Sequence, residues 1–139
     1  LVFGTTPELI SASVKAEQHL DVEQSATALL GFGDGRTASI SVSSAASLSQ
    51  LVRVVGVDGW AQLDVPFNPS EVTTARWGHV SVGRDSLLGP GQMITFASCD
   101  HYQLMVEAFI KAVREDEPTD FNDSRALTKV LSEIISYRS

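Results

Sequence analysis

The sequence predicts an α+β fold in which a mostly antiparallel β-sheet is covered on one face by helices. Two observations lead to this fold class. Residues 8–98 contain several short segments in which apolar and polar side chains alternate, some of them separated by glycine-containing turns. Residues 101–135 contain two segments with the three-and-four spacing of apolar residues that is typical of amphipathic helices. Strands followed by helices indicate a layered α+β domain rather than a series of parallel β-α-β units.

Length and composition are those of an ordinary folded domain. The chain has 139 residues, which favours one domain with a core of its own. Its formal net charge of −7 argues against nucleic acid as a partner, because phosphates require a surface rich in Lys and Arg. The sequence contains no signal peptide and no apolar run long enough for a membrane span, so a cytoplasmic location without membrane contact is expected.

The first three predicted strands form a meander. Residues 10–17 alternate between apolar and polar side chains, and residues 22–32 predict a second strand. Asp34-Gly35 predicts a hairpin turn into the third strand, because glycine tolerates a positive φ. One face of the third strand is apolar and the other carries hydroxyls, namely Thr37, Ser39, Ser41 and Ser43. This hydroxyl face is either a water-facing surface or a surface that packs against another protein.

The next segments predict further strands. Residues 51–57 are apolar on both sides, which predicts a central strand. Asp58-Gly59 predicts a turn into a strand that Pro66 ends, because proline cannot donate to the hydrogen-bond ladder. Three more segments are predicted as strands, with a loop before the last of them: strands at 72–77 and 79–82, a loop at 84–91, and a strand at 92–98.

Two helices are predicted after the strands. The first covers residues 101–114 with Asp100 as its N-cap, and its Glu107 and Lys111 are spaced as an ion pair on the polar side. Its apolar side carries Met105, Ala108, Phe109, Ala112 and Val113. The second helix follows a cap at residues 121–123, and its apolar side carries Ala126, Leu127, Val130, Leu131, Ile134 and Ile135. Both helices are expected to cover the apolar face of the sheet.

The sequence contains no complete set of catalytic or metal-binding residues. The glycine-rich stretch at residues 31–35 joins two predicted strands, so it is interpreted as a hairpin and not as a phosphate loop, which requires a following helix. Cys99 is the single cysteine and is expected to be a small buried residue at a strand end. Three scattered histidines give no metal-ligand pattern, so no metal is expected.

Four residues are candidates for substrate binding. His101 and Tyr102 lie in the first turn of the first helix, where their donors are placed to point into a cleft. Arg76 and Trp77 are able to hydrogen-bond or stack on a polar ligand. The alternatives are a surface position for His101 and a partly buried, purely structural position for Tyr102.

Several motifs follow one another along nearly the whole chain. They are Gly4…Pro7-Glu-Leu-Ile-Ser-Ala12, Phe32-Gly-Asp-Gly35, Val55-Gly-Val-Asp-Gly-Trp60, Leu63-Asp-Val-Pro-Phe67, Tyr102-Gln-Leu-Met-Val-Glu-Ala-Phe109…Ala112-Val-Arg114 and Asp123-Ser124-Arg-Ala126…Val130-Leu…Ile134…Ser136. In this order and spacing they resemble the C-terminal domain of the Gfo/Idh/MocA family of glucose-fructose oxidoreductase and inositol dehydrogenase-like enzymes.

The resemblance implies an open-faced sheet similar to the C-terminal domain of glyceraldehyde-3-phosphate dehydrogenase. It implies that residues 1–139 are the substrate-side and oligomerisation domain of a longer enzyme, with residues 1–3 at the end of a preceding helix. An N-terminal dinucleotide-binding domain would bind NAD or NADP, and hydride would move between the nicotinamide and a sugar or polyol. The family's catalytic lysine and Asp-x-x-x-His motif lie outside this segment, so no catalytic residue is assigned and no turnover is expected from the chain alone.

The same resemblance implies a homo-oligomer that forms through the open sheet face, which would explain the hydroxyl side chains there. Two alternatives remain. One is a relative that kept the fold but lost the chemistry and serves as a sensor or regulatory subunit. The other is a stand-alone α+β module that binds a ligand in an apolar pocket.

Overall fold

The computed structural model of the chain describes residues 3–17, 19, 22–79, 91–115 and 122–138. These residues divide into two compact units, one formed by Leu1–Ser47 with Pro118–Ser139 and the other by Leu48–Glu117. The strands are β1 (Glu8–Ala16), β2 (Glu23–Gly31), β3 (Thr37–Ser43), β4 (Val52–Val55), β5 (Gly59–Leu63), β6 (Thr74–His79) and β7 (Gln92–Thr95). The helices are α1 (His101–Arg114) and α2 (Asn122–Ile135). The α+β class and the antiparallel pairing are therefore as predicted.

The first unit is a three-stranded antiparallel sheet in the order β1-β2-β3. Ala28 of β2 lies opposite Ala12 of β1 and Ile40 of β3, so most apolar residues of the three strands share one face. Leu29 lies opposite Ser39 on the other face, which carries the hydroxyls of β3. The hairpin between β2 and β3 is confirmed. Gly35 has a φ of 87° and donates its backbone N–H to the carbonyl oxygen of Phe32 over 2.9 Å.

Helix α2 covers the apolar face of this sheet. Its side chains Val130 and Ile134 are buried together with Val14 of β1 and with Ala28 and Leu30 of β2. Burial of a Val, Leu or Ile side chain contributes about 1.5–3 kcal/mol, so these contacts hold the unit together. Leu127, Leu131 and Ile135 of α2 are exposed, and so are Ile40 and Val42 at the uncovered end of the sheet face.

The second unit is a four-stranded antiparallel sheet in the order β4-β5-β6-β7. The expectation that β4 is a central strand was wrong for the strands that the structure describes: it lies at an edge of their sheet, and Val55 is 67% exposed. A run of apolar residues indicates a strand that can be covered on both faces, but it does not specify how many neighbours the strand has. β6 passes through Gly78 as one strand, and the predicted residues 80–82 and the loop at 84–90 lie outside the described residues.

Helix α1 begins where the sequence predicts. Asp100 caps it, and its Oδ1 accepts the backbone N–H groups of Tyr102 and Gln103 over 2.9 and 3.0 Å. The prediction that α1 covers a sheet was wrong, because no residue of α1 is buried. Periodicity identifies an apolar helix side, but it does not identify what that side contacts.

Three smaller expectations also changed. Lys111 pairs with Glu115 over 3.7 Å instead of with Glu107, whose carboxylate accepts a hydrogen bond from the Gln103 side chain. Cys99 is exposed rather than buried, because it lies in the irregular segment between β7 and α1 instead of inside a strand. Two sheets are present among the described strands where one was expected, since alternation predicts strands but not which strands pair.

Residues 1 and 2 of the predicted helix end lie outside the described residues. Gly4 has a φ of 66°, the left-handed conformation that is common in the residue just after a helix. Neither of the described helices is long and apolar enough to cross a membrane.

The α2 contact generates a stability prediction. Ile134 is buried, with 8% of its surface exposed. Its replacement by alanine removes side-chain atoms from the core, so we expect the free energy of unfolding to fall by about 2–5 kcal/mol. Ile135→Ala is the matched control, because this neighbouring side chain is 48% exposed and its loss should cost less than about 1 kcal/mol. Urea unfolding measures both values, and equal losses would contradict the packing.

Candidate functional site

The first candidate, Arg76, lies in the middle of β6 and forms a polar cluster with two residues of the β5 region. Its Nη2 donates to Asp64 Oδ1 over 2.7 Å and to Oδ2 over 3.0 Å. Gln62 Nε2 donates to the same Asp64 Oδ1 over 2.6 Å. Gln62 lies directly opposite Arg76 in the antiparallel register, so the cluster belongs to one face of the sheet.

This cluster has a definite charge state. The Arg76 guanidinium, and then the Gln62 amide, hold the pKa of the Asp64 carboxyl below its ordinary value. The pair is roughly half-exposed, so its main contribution is orientation rather than stability. Nε of Arg76 is shielded from solvent and has no hydrogen-bond partner among the described residues. Arg76 therefore has one N–H donor that no described residue uses.

An aromatic platform lies on the same sheet face. The Arg53 guanidinium lies 4.8 Å from the centre of the Trp60 ring, and Arg53 is opposite Gln62 in the register. Two glycines make room for the Trp60 indole. A Cβ added at Gly78 would lie 2.9 Å from Trp60 Nε1, and a Cβ added at Gly91 would lie 2.8 Å from Trp60 Cη2, so a larger residue at either position would crowd the ring. Neither Arg53 nor Trp60 was predicted as a candidate from the sequence. Their shared face follows from the cross-strand register, which the sequence alone does not specify.

The second candidate, Trp77, lies on the opposite face of the same sheet from Arg76, because neighbouring residues in a strand point to opposite sides. Its ring meets the His79 ring edge to face, with the two ring centres 5.2 Å apart. A ligand on one face of this sheet therefore contacts Arg76 or Trp77, and it reaches both only around an end of the sheet.

The remaining candidates lie at the start of α1. The rings of His101 and Tyr102 are 4.1 Å apart, and Tyr102 is exposed. Nε2 of His101 is shielded from solvent without a partner among the described residues. No hydrogen bond, ion pair or ring contact in the described part of the chain joins this pair to Arg76 or Trp77. The four candidates thus occupy separate places: the two faces of the β4–β7 sheet and the first turn of α1.

In the part of the chain that the structure describes, the glycine-rich stretch is not a phosphate loop, and no side-chain cluster is placed for a metal. The glycine-rich stretch ends in a hairpin between β2 and β3, so no helix begins there to accept a phosphate. No group of three or more His, Cys, Asp or Glu side chains among the described residues is placed to hold a metal ion.

Comparisons with known proteins find similar chains. No protein-family model matches the sequence. An uncharacterized oxidoreductase of Rhizobium meliloti is 28% identical over 120 residues, which are 85% of this chain and 35% of that protein. KijD10, a 3-ketoreductase from Actinomadura kijaniata, has a similar fold. The structure of KijD10 in complex with NADP matches this chain with a TM-score of 0.80 and 16% sequence identity, over 98% of this chain and 42% of the KijD10 chain.

A mutant KijD10 in complex with TDP-benzene and NADP gives a TM-score of 0.84, with 18% identity, and covers 99% of this chain and 42% of that one. The likeness extends over nearly all of the chain, so it establishes the fold. The chain spans less than half the length of each of these relatives.

The polar cluster generates a titration prediction. In the Arg76→Gln variant the pKa of Asp64 should rise towards its ordinary value of 3.8, because its largest stabilising partner is lost. A carboxyl whose pKa is lowered on folding stabilises the fold above its unfolded pKa, and this contribution is lost as pH falls through the folded pKa. Carboxyl NMR titration measures the shift.

Asp34 is the internal control for this titration. Its pKa is also lowered, by Arg36 in the β2–β3 hairpin, and Arg76→Gln should leave it unchanged. An Asp64 titration that is the same in wild type and variant would show that the ion pair does not form in solution.

Proposed function

We propose that the chain is the C-terminal, substrate-side domain of a cytoplasmic NAD(P)-dependent oxidoreductase that acts on a sugar, a polyol or a related compound. The observation that carries the proposal is the fold likeness to a 3-ketoreductase seen in complex with NADP and TDP-benzene. The 28% identity to a second oxidoreductase supports the same reaction class. The family resemblance of the motifs, from Gly4 to Ser136, is an independent line of support.

The cofactor belongs to another part of the proposed parent enzyme. NAD(P) supplies or accepts the hydride when it is bound. We propose that an N-terminal dinucleotide-binding domain of the same polypeptide holds the cofactor. The catalytic residues would lie there as well, so this chain by itself should not turn over.

Substrate recognition is the role we assign to this chain. A sugar or polyol presents many hydroxyls, each of which can donate and accept hydrogen bonds. The Arg76–Asp64 pair offers a donor and an acceptor side by side on one sheet face, and Nε of Arg76 has no partner among the described residues. His101 and Tyr102 offer further polar groups at the start of α1. We propose that the Arg76–Asp64 pair contacts the substrate on its face of the sheet. Trp77 on the opposite face, and His101 and Tyr102 at the start of α1, are proposed as alternative contact points at those other places.

Subunit association is the second role we propose. The hydroxyl face of the first unit is exposed, and it carries small side chains that another protein surface can approach closely. The hydroxyl oxygens of Thr27 in β2 and Ser41 in β3 are 3.3 Å apart and share a hydrogen bond, so some hydroxyls on this face already have a partner. Such a face loses little on desolvation, which supports packing against a second subunit.

The natural full-length gene product tests the proposed reaction class. We expect it to reduce NAD⁺ or NADP⁺ with a member of a panel of sugars, polyols and nucleotide-linked sugars, measured by the absorbance of the reduced nicotinamide. The 139-residue chain should show no turnover in the same assay. A full-length product that binds these compounds without turnover would favour the sensor alternative, and dehydrogenase activity of the 139-residue chain would contradict the division of roles.

The substrate role of Arg76 has its own test. In the full-length enzyme Arg76→Gln should raise KM for the sugar or polyol by roughly tenfold or more, because a hydrogen bond to a charged group contributes about 1.5–3 kcal/mol. The KM for NAD(P) should not change. Arg36→Gln is the matched control, since that arginine pairs with Asp34 in a hairpin of the other unit. Equal substrate KM values in the two variants would remove Arg76 from the site.

A further inference from the structure

We propose that one side of α1 is a docking surface for an amphipathic helix from the remainder of the parent polypeptide. This inference rests on the proposed function, because it requires that the chain is part of a longer protein. It adds the surface and the kind of element that the two parts of that protein use to meet.

Four side chains define the surface, and we call them the α1 seam: Tyr102, Val106, Phe109 and Val113. They are 59%, 50%, 69% and 65% exposed. Their spacing of four, three and four residues places them in one line along the helix, over a length of about 16 Å. Met105 and Ile110 flank the line and are also exposed. The seam is therefore continuous from the first turn of α1 to the last.

The seam fits a helix better than an irregular segment. Alternating steps of four and three residues are the pattern with which two helices interlock their side chains along a shared seam. The polar residues of α1 lie together on another side, and they are Gln103, Glu107, Lys111 and Arg114. Within this side Gln103 donates to Glu107 over 2.7 Å, so its polar groups are directed along the helix surface. One side of α1 is thus suited to water and the other to an apolar partner.

Helix α2 shows what such a side does when it is covered. Both helices have 14 residues, and α2 buries Val130 and Ile134 in the core of the first unit. α1 is equally well formed, with a cap at Asp100, but none of its residues is fully buried. Large apolar patches that stay exposed on an isolated protein are typical of interaction surfaces.

The length of the relatives indicates the remainder of the same polypeptide as the occupant. This chain covers 35% of the oxidoreductase from Rhizobium meliloti and 42% of the KijD10 chain, so each relative has more than half of its residues outside the matched part. A helix in the same polypeptide binds at a high effective concentration. A second copy of this chain lacks this advantage, because it binds only at its bulk concentration.

Thiol labelling of the full-length gene product tests the seam. Single cysteines replace Val106 or Phe109 on the seam, and Gln103 or Arg114 on the polar side as matched controls, all in a background that carries Cys99→Ser. Tyr102 is left unchanged because it is a substrate-site candidate. The rate of reaction with a charged thiol reagent is measured in the full-length protein and in the 139-residue chain. Thiols at the seam should react at least roughly tenfold more slowly in the full-length protein, while the control thiols should react at similar rates in both, because reactivity follows exposure.

Hydrogen exchange on the unsubstituted proteins covers the case in which a cysteine variant fails to fold. The amides of α1 should exchange more slowly in the full-length protein than in the 139-residue chain. Seam thiols that react as fast as the controls in the full-length protein would overturn the proposal, and so would a gene product no longer than this chain. If the seam thiols or the α1 amides of the 139-residue chain become protected as its concentration rises, the seam binds a second copy instead, and the proposal is overturned.

These readouts do not require activity. A protected seam in a protein without dehydrogenase activity would contradict the proposed function and leave the docking surface in place. An active enzyme whose seam thiols react as fast as the control thiols would contradict the docking surface and leave the proposed function in place.

Discussion

The packing of Val130 and Ile134 of α2 against Val14, Ala28 and Leu30 is the interaction on which the first unit depends. A three-stranded sheet is stable only when its apolar face is covered, and α2 is the helix that covers it. β1 and α2 lie at opposite ends of the sequence, so this contact closes the unit over most of the chain length. The hairpins between the strands are local and form from their own turn residues. The core is the long-range contact that makes them one structure.

The second unit is organised differently. The buried residues of the described chain all belong to the first unit, while the β4–β7 sheet and α1 leave much of their apolar surface exposed. Order in this sheet comes from the strand register and from local contacts such as Trp60 lying against Gly78 and Gly91. The substrate-binding candidates also lie in this unit. Its exposed apolar surface is suited to contact a further part of a protein. Its polar donors, which have no partners among the described residues, are suited to bind a ligand.

The candidate site shows what a sequence pattern can reveal about chemistry. Arg76 and His101 were selected by residue type and position, and each has a ring or guanidinium nitrogen without a partner among the described residues. The pairing of Arg76 with Asp64, and the contact of Arg53 with Trp60, were not predicted. Both depend on which residues lie opposite one another in neighbouring strands. Because strand alternation has a period of two, the sequence places a residue on a face but does not name its cross-strand neighbours.

The sequence by itself determined the order and type of the elements: a meander of strands, the Gly35 turn, the Asp100 cap and two amphipathic helices. These features depend on interactions within a few residues, so local patterns predict them. The tertiary structure alone decided that the described strands form two sheets with β4 at an edge, and that α2 is covered while α1 has no buried residue. Those outcomes depend on contacts between distant residues. Amphipathic spacing identifies an apolar side on each helix, but it does not specify what lies against that side.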